Sequence, residues 1–414
     1  MLMQNDPTKE SAAQPAFTAS TVQADETIDE AKLEREFGPP PETPNSDPVE
    51  PPKQPFGKRF KAWLTNLDRK HQLFYIIVAL IVLIGVGVII FFLTRSPKPV
   101  AVPSMPVYHK PTSTTVPSKL TGLQVDPAIN KLQVTGVMIE NSVYARPQSG
   151  LSQAGVVYEA IAEAGITRFL ALFQDTQSNY LGPVRSARPY YVQWCQAFDC
   201  ALAHVGGSPE ALSDIKAWHV KNLDQFAGGA YFHRITSRYA PHNMYTSQAK
   251  LTQYEKARNY TSSDFTGFEH LATEPKVKPA SITTKSISFN YPGSAYDVHY
   301  DYDTAKNVYQ RSEGGAPHYS VDSSGKKTRN APKVVIALVM TYAHESDDYH
   351  SSYVSTGTGT MYVFQNGTVT KGTWARATRD SQFTFTDEGG HALKLDPGQT
   401  WISAVSQNGD VTYK

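Results

Sequence analysis

Residues 166–174 read ITRFLALFQ, and their length decides what the surrounding chain can be. Nine residues that are mostly apolar, closed off by Ala164-Gly165 before and Asp175-Thr176 after, are too few for a stable amphipathic helix and suit a strand. Successive strand side chains point to opposite faces, so a run that is apolar on both is covered on both. Arg168 then sits inside that run, flanked by apolar residues. Working outward, Val134–Glu140 (VTGVMIE) and Val156–Ala162 read as further strands. Ala187–Phe198 has helical spacing, with Tyr191, Trp194 and Cys195 on one side, and Asp199–Val205 reads as a buried strand. Ser208-Pro209-Glu210 opens a helix, with Ser as N-cap and Pro at the first helical position. Thr246–Arg258 is a second good helix. Strands alternating with helices predict an α/β domain over residues 120–275.

Residues 280–414 have another texture. SISFNYPG, YDVHYDYD, KVVIALVMTYA, GTMYVFQNGTVTKGTW, QFTFTD and TWISAVS are strand-like runs separated by Gly, Asn, Asp and Ser. Asn366-Gly367 is a hairpin signal, because both turn positions favour positive φ. The expectation is a mostly antiparallel, β-rich domain, joined to the first through a linker around residues 276–284.

The amino-terminal side reads differently again. Residues 1–50 carry eleven acids against three bases and few large apolar groups, so they cannot bury enough surface to offset ordering entropy. Residues 51–73 reverse the sign, with six Lys or Arg against Asp68. FYIIVALIVLIGVGVIIFFL, Phe74 to Leu93, follows: twenty uncharged residues, enough at about 1.5 Å per residue to cross a hydrocarbon layer of roughly 30 Å. The bases precede this stretch, which predicts a single-pass plasma-membrane protein with residues 1–73 cytoplasmic and the body extracytoplasmic. Residues 94–119 hold six prolines and predict an extended stalk.

The charged residues of the first region lie where core packing alone does not account for them. Arg146 falls in a loop after the strand ending at Glu140. Glu159 and Glu163 lie on or beside the next strand, four residues apart and so on one face of a regular strand, and Arg168 is in the following run. Arg185 and Arg188 flank a turn entering a helix, and His204, Ser208, Arg238, His242 and Asn243 follow. Guanidinium forks suit carboxylate and phosphate, glutamates hold such forks in place, and Gly206-Gly207 before the Ser208 cap lets backbone NH groups approach an anion. The competing reading is a buried Arg–Glu network that ties strands together.

These residues fall within VMIENS, ARPQSGLSQAGVVYEAIAEAGITRFLALF, GPVRSARPYYV, HVGGSPEAL and RYAPHNMYTS, segments that resemble the signatures of the YerB-like family. NGTVTKGTW and LDPGQTWI carry a looser resemblance in the second region, and together the match covers nearly all of residues 120–405. Family members resemble one another in being two-domain bacterial envelope proteins of unassigned function, usually held to the membrane by a lipidated cysteine. This chain departs from that pattern, since no cysteine precedes Cys195; the apolar stretch stands in for the lipid. The resemblance implies that the Arg, Glu and His positions form one site, without naming a reaction.

Several function classes are disfavoured. G-x-S-x-G is absent, and Pro209 removes an NH after Ser208. Nothing calls for a cofactor, and the cluster His344, Glu345, Asp347, Asp348 and His350 is read as a solvated loop without metal. Residues 94–414 carry 30 Lys or Arg against 26 Asp or Glu with no basic stripe, which speaks against nucleic acid. Cys195 and Cys200 are either bonded or two buried thiols, and their spacing is not that of a C-x-x-C redox pair. The reading is a membrane-anchored extracytoplasmic ligand-binding or scaffolding protein of the cell envelope, rather than an enzyme, associated with cell-wall glycan (peptidoglycan), its synthesis machinery or an envelope protein partner. The alternative is an enzyme acting on envelope glycan or phosphodiester-linked carbohydrate.

Overall fold

Three apolar runs, Ile166–Phe173, Val334–Val339 and Thr400–Val405, meet in one sheet although 226 residues, 174–399, separate the first from the last. The computed structural model describes residues 115–414 together with Asp68, Ile77, Val78, Leu80 and Leu83. These last four are helical and exposed; the rest of the predicted membrane span lies outside the described residues, as do residues 1–67, 69–73 and 94–114 of the tail and stalk. Among the described residues no helix is long and apolar enough to cross a membrane.

The first region supplies strands β1 (Thr135–Glu140), β2 (Val156–Glu163), β3 (Ile166–Phe173), β4 (Ala201–His204) and β5 (Asn222–Asp224), and helices α1 (Pro189–Gln196), α2 (Pro209–Ala217) and α3 (Gln248–Ala257). The second supplies β6 (Ser286–Phe289), β7 (Val298–Asp303), β8 (Val308–Glu313), β9 (Ala316–Pro317), β10 (Val334–Val339), β11 (Gly357–Gln365), β12 (Thr368–Arg376), β13 (Thr384–Asp387), β14 (Thr400–Val405) and β15 (Val411–Tyr413). Ten of these strands form a single sheet in the order β13-β12-β11-β10-β14-β2-β3-β1-β4-β5. A second sheet runs β9-β8-β7-β6-β15. The body is mostly β with few helices.

The helix signals locate real starts. Ser208 Oγ accepts from Ala211 N at 3.3 Å and Ser247 Oγ from Lys250 N at 3.3 Å, each capping its helix. Asn366 and Gly367 take φ of +57° and +67° and turn β11 into β12 with Gln365 opposite Thr368, the two-residue hairpin expected there. Cys195 and Cys200 are joined as a disulfide between the end of α1 and the start of β4, with Cα atoms 5.2 Å apart.

The second region is not built only from antiparallel ladders. β10 pairs with β14 in parallel, and β14 pairs in parallel with β2 of the first region. The reason was present in the residues: VVIALV is apolar throughout and TWISAV is broken only by the small Thr400 and Ser403, and neither shows the buried–exposed alternation of a half-exposed antiparallel strand. The two sequence regions thus share the ten-stranded sheet. Arg376 strengthens that join, donating to Gln193 O of α1 at 2.7 Å and to Ser355 Oγ at 3.0 Å.

One buried carboxyl gives the fold a pH dependence. Thr135 Oγ1 donates to Glu255 Oε1 of α3 at 2.6 Å, and Gln248 Nε2 donates to Thr135 Oγ1 at 2.6 Å. Burial pushes the Glu255 carboxyl up to about 7, against the pull of the Thr135 hydrogen bond. The folded state keeps a proton that the unfolded chain releases near pH 4, so this contribution is present at low pH and is lost as pH rises through about 7. Glu255→Gln keeps the Thr135 contact and removes the decline, raising stability at pH 8 relative to the wild type by about 3 kcal/mol. Urea unfolding of both proteins at pH 5 and pH 8 measures this; equal pH slopes would refute it.

Candidate functional site

A β-bulge between Ile161 and Glu163 sorts the charged residues of the first region. Up to Ile161 the β2–β3 register is regular: Glu159 faces Phe169, Ala160 faces Arg168 and Ile161 faces Thr167. An unbroken strand would then put Glu163 on the Glu159 face. The extra residue turns it to the other side, where Arg168 lies. The two glutamates therefore belong to separate networks.

On the first face, Glu159 and Arg311 are both 0% exposed. Arg311 Nη2 donates to both Glu159 oxygens, at 2.9 and 2.7 Å, and lies 3.4 Å from Glu313 Oε1. Arg311 Nη1 donates to His318 Nδ1 at 2.5 Å, which fixes the proton on Nε2; that proton is donated to Gln148 Oε1 at 2.9 Å. Gln148 Nε2 donates to Asn141 Oδ1, Asn141 Nδ2 to Thr167 Oγ1, both at 2.6 Å, and Thr167 to Glu159 Oε1 at 3.0 Å, closing the circuit. Burial first, and then the Arg311 charge, drop His318 to about 3, so it is neutral as the circuit requires. Burial also lifts Glu159 to about 6, with Arg311 opposing, while for Glu313 burial is outweighed by the Arg311 and Arg146 charges and the Asn141 hydrogen bond, which hold it low. Arg146 joins this network through Asn141 and Ala295 O rather than opening onto a cleft. Arg311, Glu313 and His318 were not among the sequence candidates.

On the second face, Glu163 Oε1 accepts from Arg168 Nη2 at 2.6 Å and Glu163 Oε2 accepts from Arg188 Nη2. Burial raises Glu163 but the two arginines outweigh it, so its carboxyl stays below the ordinary range. Arg168 also donates to Ser186 O at 2.7 Å, and Arg188 to Ala187 O at 2.8 Å. Glu140, at the end of β1 opposite Arg168, takes His242 Nδ1 at 2.8 Å and lies 3.1 Å from Arg185 Nε through the same oxygen; its other oxygen is buried and has no hydrogen-bond partner. Arg185 and His242 are the open members, with side chains 25% and 22% exposed.

The remaining candidates are engaged elsewhere. His204 bonds Gly206 O at 2.7 Å and Asn222 Oδ1 at 2.8 Å. Arg238 donates to Ala145 O and Pro147 O, each at 2.7 Å, and to Tyr245. Asn243 holds Arg234 and the carbonyls of Ile235 and Arg238. Ser208 caps α2, its Oγ accepting from Ala211 N at 3.3 Å. Neither of two surface cavities, about 370 Å³ beside Cys200 and Trp218 and about 530 Å³ beside Phe268 and His270, is lined by any of these candidates. Among the described residues no cluster of His, Cys, Asp and Glu has a metal-holding arrangement.

The body, mostly β with few helices, has a ten-stranded mixed sheet built from two sequence regions. Residues 120–261 match the "Protein of unknown function (DUF3048) N-terminal domain" and residues 287–402 its C-terminal domain. The chain belongs to this family. It is 30% identical over 298 residues to "Putative lipoprotein YerB" of Bacillus subtilis (strain 168), covering 71% of this chain and 87% of that protein. It is similar to the crystal structure of YerB protein from Bacillus subtilis, with a TM-score of 0.64 and 27% identity over 72% of this chain and 99% of that one.

The Arg311 circuit makes a specific stability claim. Arg311→Met removes the cation and strands Glu159 and Glu313, costing about 3–5 kcal/mol, and adding Glu159→Gln recovers part of that loss. Urea unfolding of the single and double variants checks it; a single variant as stable as wild type would sink the claim.

Proposed function

We propose that this chain is a membrane-anchored, extracytoplasmic ligand-binding protein of the cell envelope, associated with peptidoglycan or its synthesis machinery. Phe74 to Leu93 is its anchor, residues 1–73 are cytoplasmic and the body is outside. The lipoprotein description of the Bacillus subtilis relative supports an envelope location. The observation that carries the binding reading is the asymmetry between the two networks: Glu159 and Arg311 are sealed and the partly exposed Arg146 is spent on Asn141 and Ala295 O, whereas Arg185 and His242 bring hydrogen-bonding groups to the surface around Glu140. Arg185 forms no hydrogen bond from its Nη groups among the described residues, which leaves a planar fork for an anionic ligand.

The enzyme alternative draws less support from the same geometry. Glu159 has the raised carboxyl a general acid needs, but it is 0% exposed and both oxygens are bonded to Arg311. Glu163 is held ionised between two arginines.

Full-length protein in detergent, incubated with solubilised envelope fractions, tests the reading when wild type is compared with Arg185→Ala. A folded Arg185→Ala protein is expected to retain its envelope ligand at least about tenfold less well, the loss of one charge-assisted pair. Equal retention overturns the reading.

A further inference from the structure

The three most exposed large hydrophobic side chains of residues 115–414 are Tyr239 at 79%, Phe226 at 76% and Tyr144 at 69%. Single exposed aromatics need no explanation, but these three share one edge of the molecule. β1, β4 and β5 run parallel, and their carboxyl ends carry Glu140, His204 and Asp224. Tyr144 lies in the turn Val143–Ala145 just beyond β1, its ring 5.6 Å from that of His242. Phe226 follows β5, with its NH on Asp224 Oδ1 at 3.2 Å and its ring 3.3 Å from where a Cβ on Gly206 would stand. Gly206 is itself next to the arginine turn, since Val205 N donates to Arg185 O and Ala187 N to Gly206 O, both at 3.0 Å. Tyr239 O accepts from His242 N at 3.0 Å, and Arg238 clamps its loop to Ala145 O and Pro147 O. The three aromatic residues thus lie beside the segments that carry Arg185, Glu140 and His242, at strand carboxyl ends, where open α/β sheets place their ligands.

We infer that this edge binds a carboxylated saccharide, with pyranose rings lying on the aromatic faces and the carboxylate on the Arg185 fork. This deepens the proposed function and rests on it. Aromatic rings offer large, rigid contact area to the C–H face of a sugar, which a simple anion cannot use. His242 brings hydrogen-bonding capacity beside them, suited to ring hydroxyls. An anion site alone leaves the exposure of the three rings unexplained, and a hydrophobic docking face leaves the arginine unexplained. A ligand with both features accounts for both.

Calorimetric titration of the full chain in detergent separates the parts with three probes. They are the disaccharide of N-acetylglucosamine and N-acetylmuramic acid, the neutral dimer of N-acetylglucosamine, and lactate, which is the acid without the sugar. The acidic disaccharide is expected to bind at least about tenfold more tightly than either other probe. Both Arg185→Ala and the double variant Tyr144→Ala with Phe226→Ala, the latter pair on exposed side chains, should weaken it by a similar factor in protein whose unfolding midpoint matches the wild type. Lactate binding as tightly as the disaccharide, or aromatic variants behaving as wild type, overturns the saccharide inference while leaving the anion site standing. Disaccharide affinity unchanged by Arg185→Ala but lost in the aromatic variant overturns the carboxylate half and the anionic-ligand reading beneath it. Failure of every probe to bind overturns both.

Discussion

A guanidinium cannot shed its proton, and Arg311 is wholly buried, so the chain around it must supply acceptors in the right places. Glu159, Glu313 and a neutral His318 do so. Glu159 comes from the first sequence region and Arg311 from the second. Stranding either charge is costly, so the two regions are held in one relative register. The parallel insertion of β14 between β10 and β2 makes the same join through the backbone, and Trp401 of β14 packs 4.8 Å from the Arg311 guanidinium. Apolar strand and buried ion pair close the same seam.

The bulge after Ile161 has the second largest consequence. One extra residue in β2 sends Glu163 away from the sealed circuit to the arginines of the opposite face. There, partial exposure of Arg185 and His242 converts what would be another structural network into a surface with chemistry to offer.

Much of the first region was legible. Ile166–Phe173, Thr135–Glu140 and the Ser208 helix start follow from run length, apolar content and capping chemistry. So does the Asn366-Gly367 hairpin. β8 was not legible, because its inward positions are Tyr309, Arg311 and Glu313, and a period-two pattern written in charged residues does not look like a buried strand. For that reason the partner of Glu159 went unseen, and Glu159 and Glu163 looked like neighbours on one face. His204, Arg238 and Asn243 were grouped with the site on their polarity, yet each is absorbed by carbonyls and amides within reach only after folding.

The sequence by itself determined which runs become strands and helices, where helices begin, and which residues carry charge into the interior, since these depend on local sterics, hydrogen-bond caps and the cost of exposing apolar groups. Tertiary structure alone decided that the two regions share a sheet, because strand neighbours are chosen by packing across hundreds of residues. It also decided which arginines are neutralised and which stay open. A side chain's charge is fixed by its chemistry, but the acceptor that meets it is fixed by register, and a single bulge residue was enough to change that meeting for Glu163.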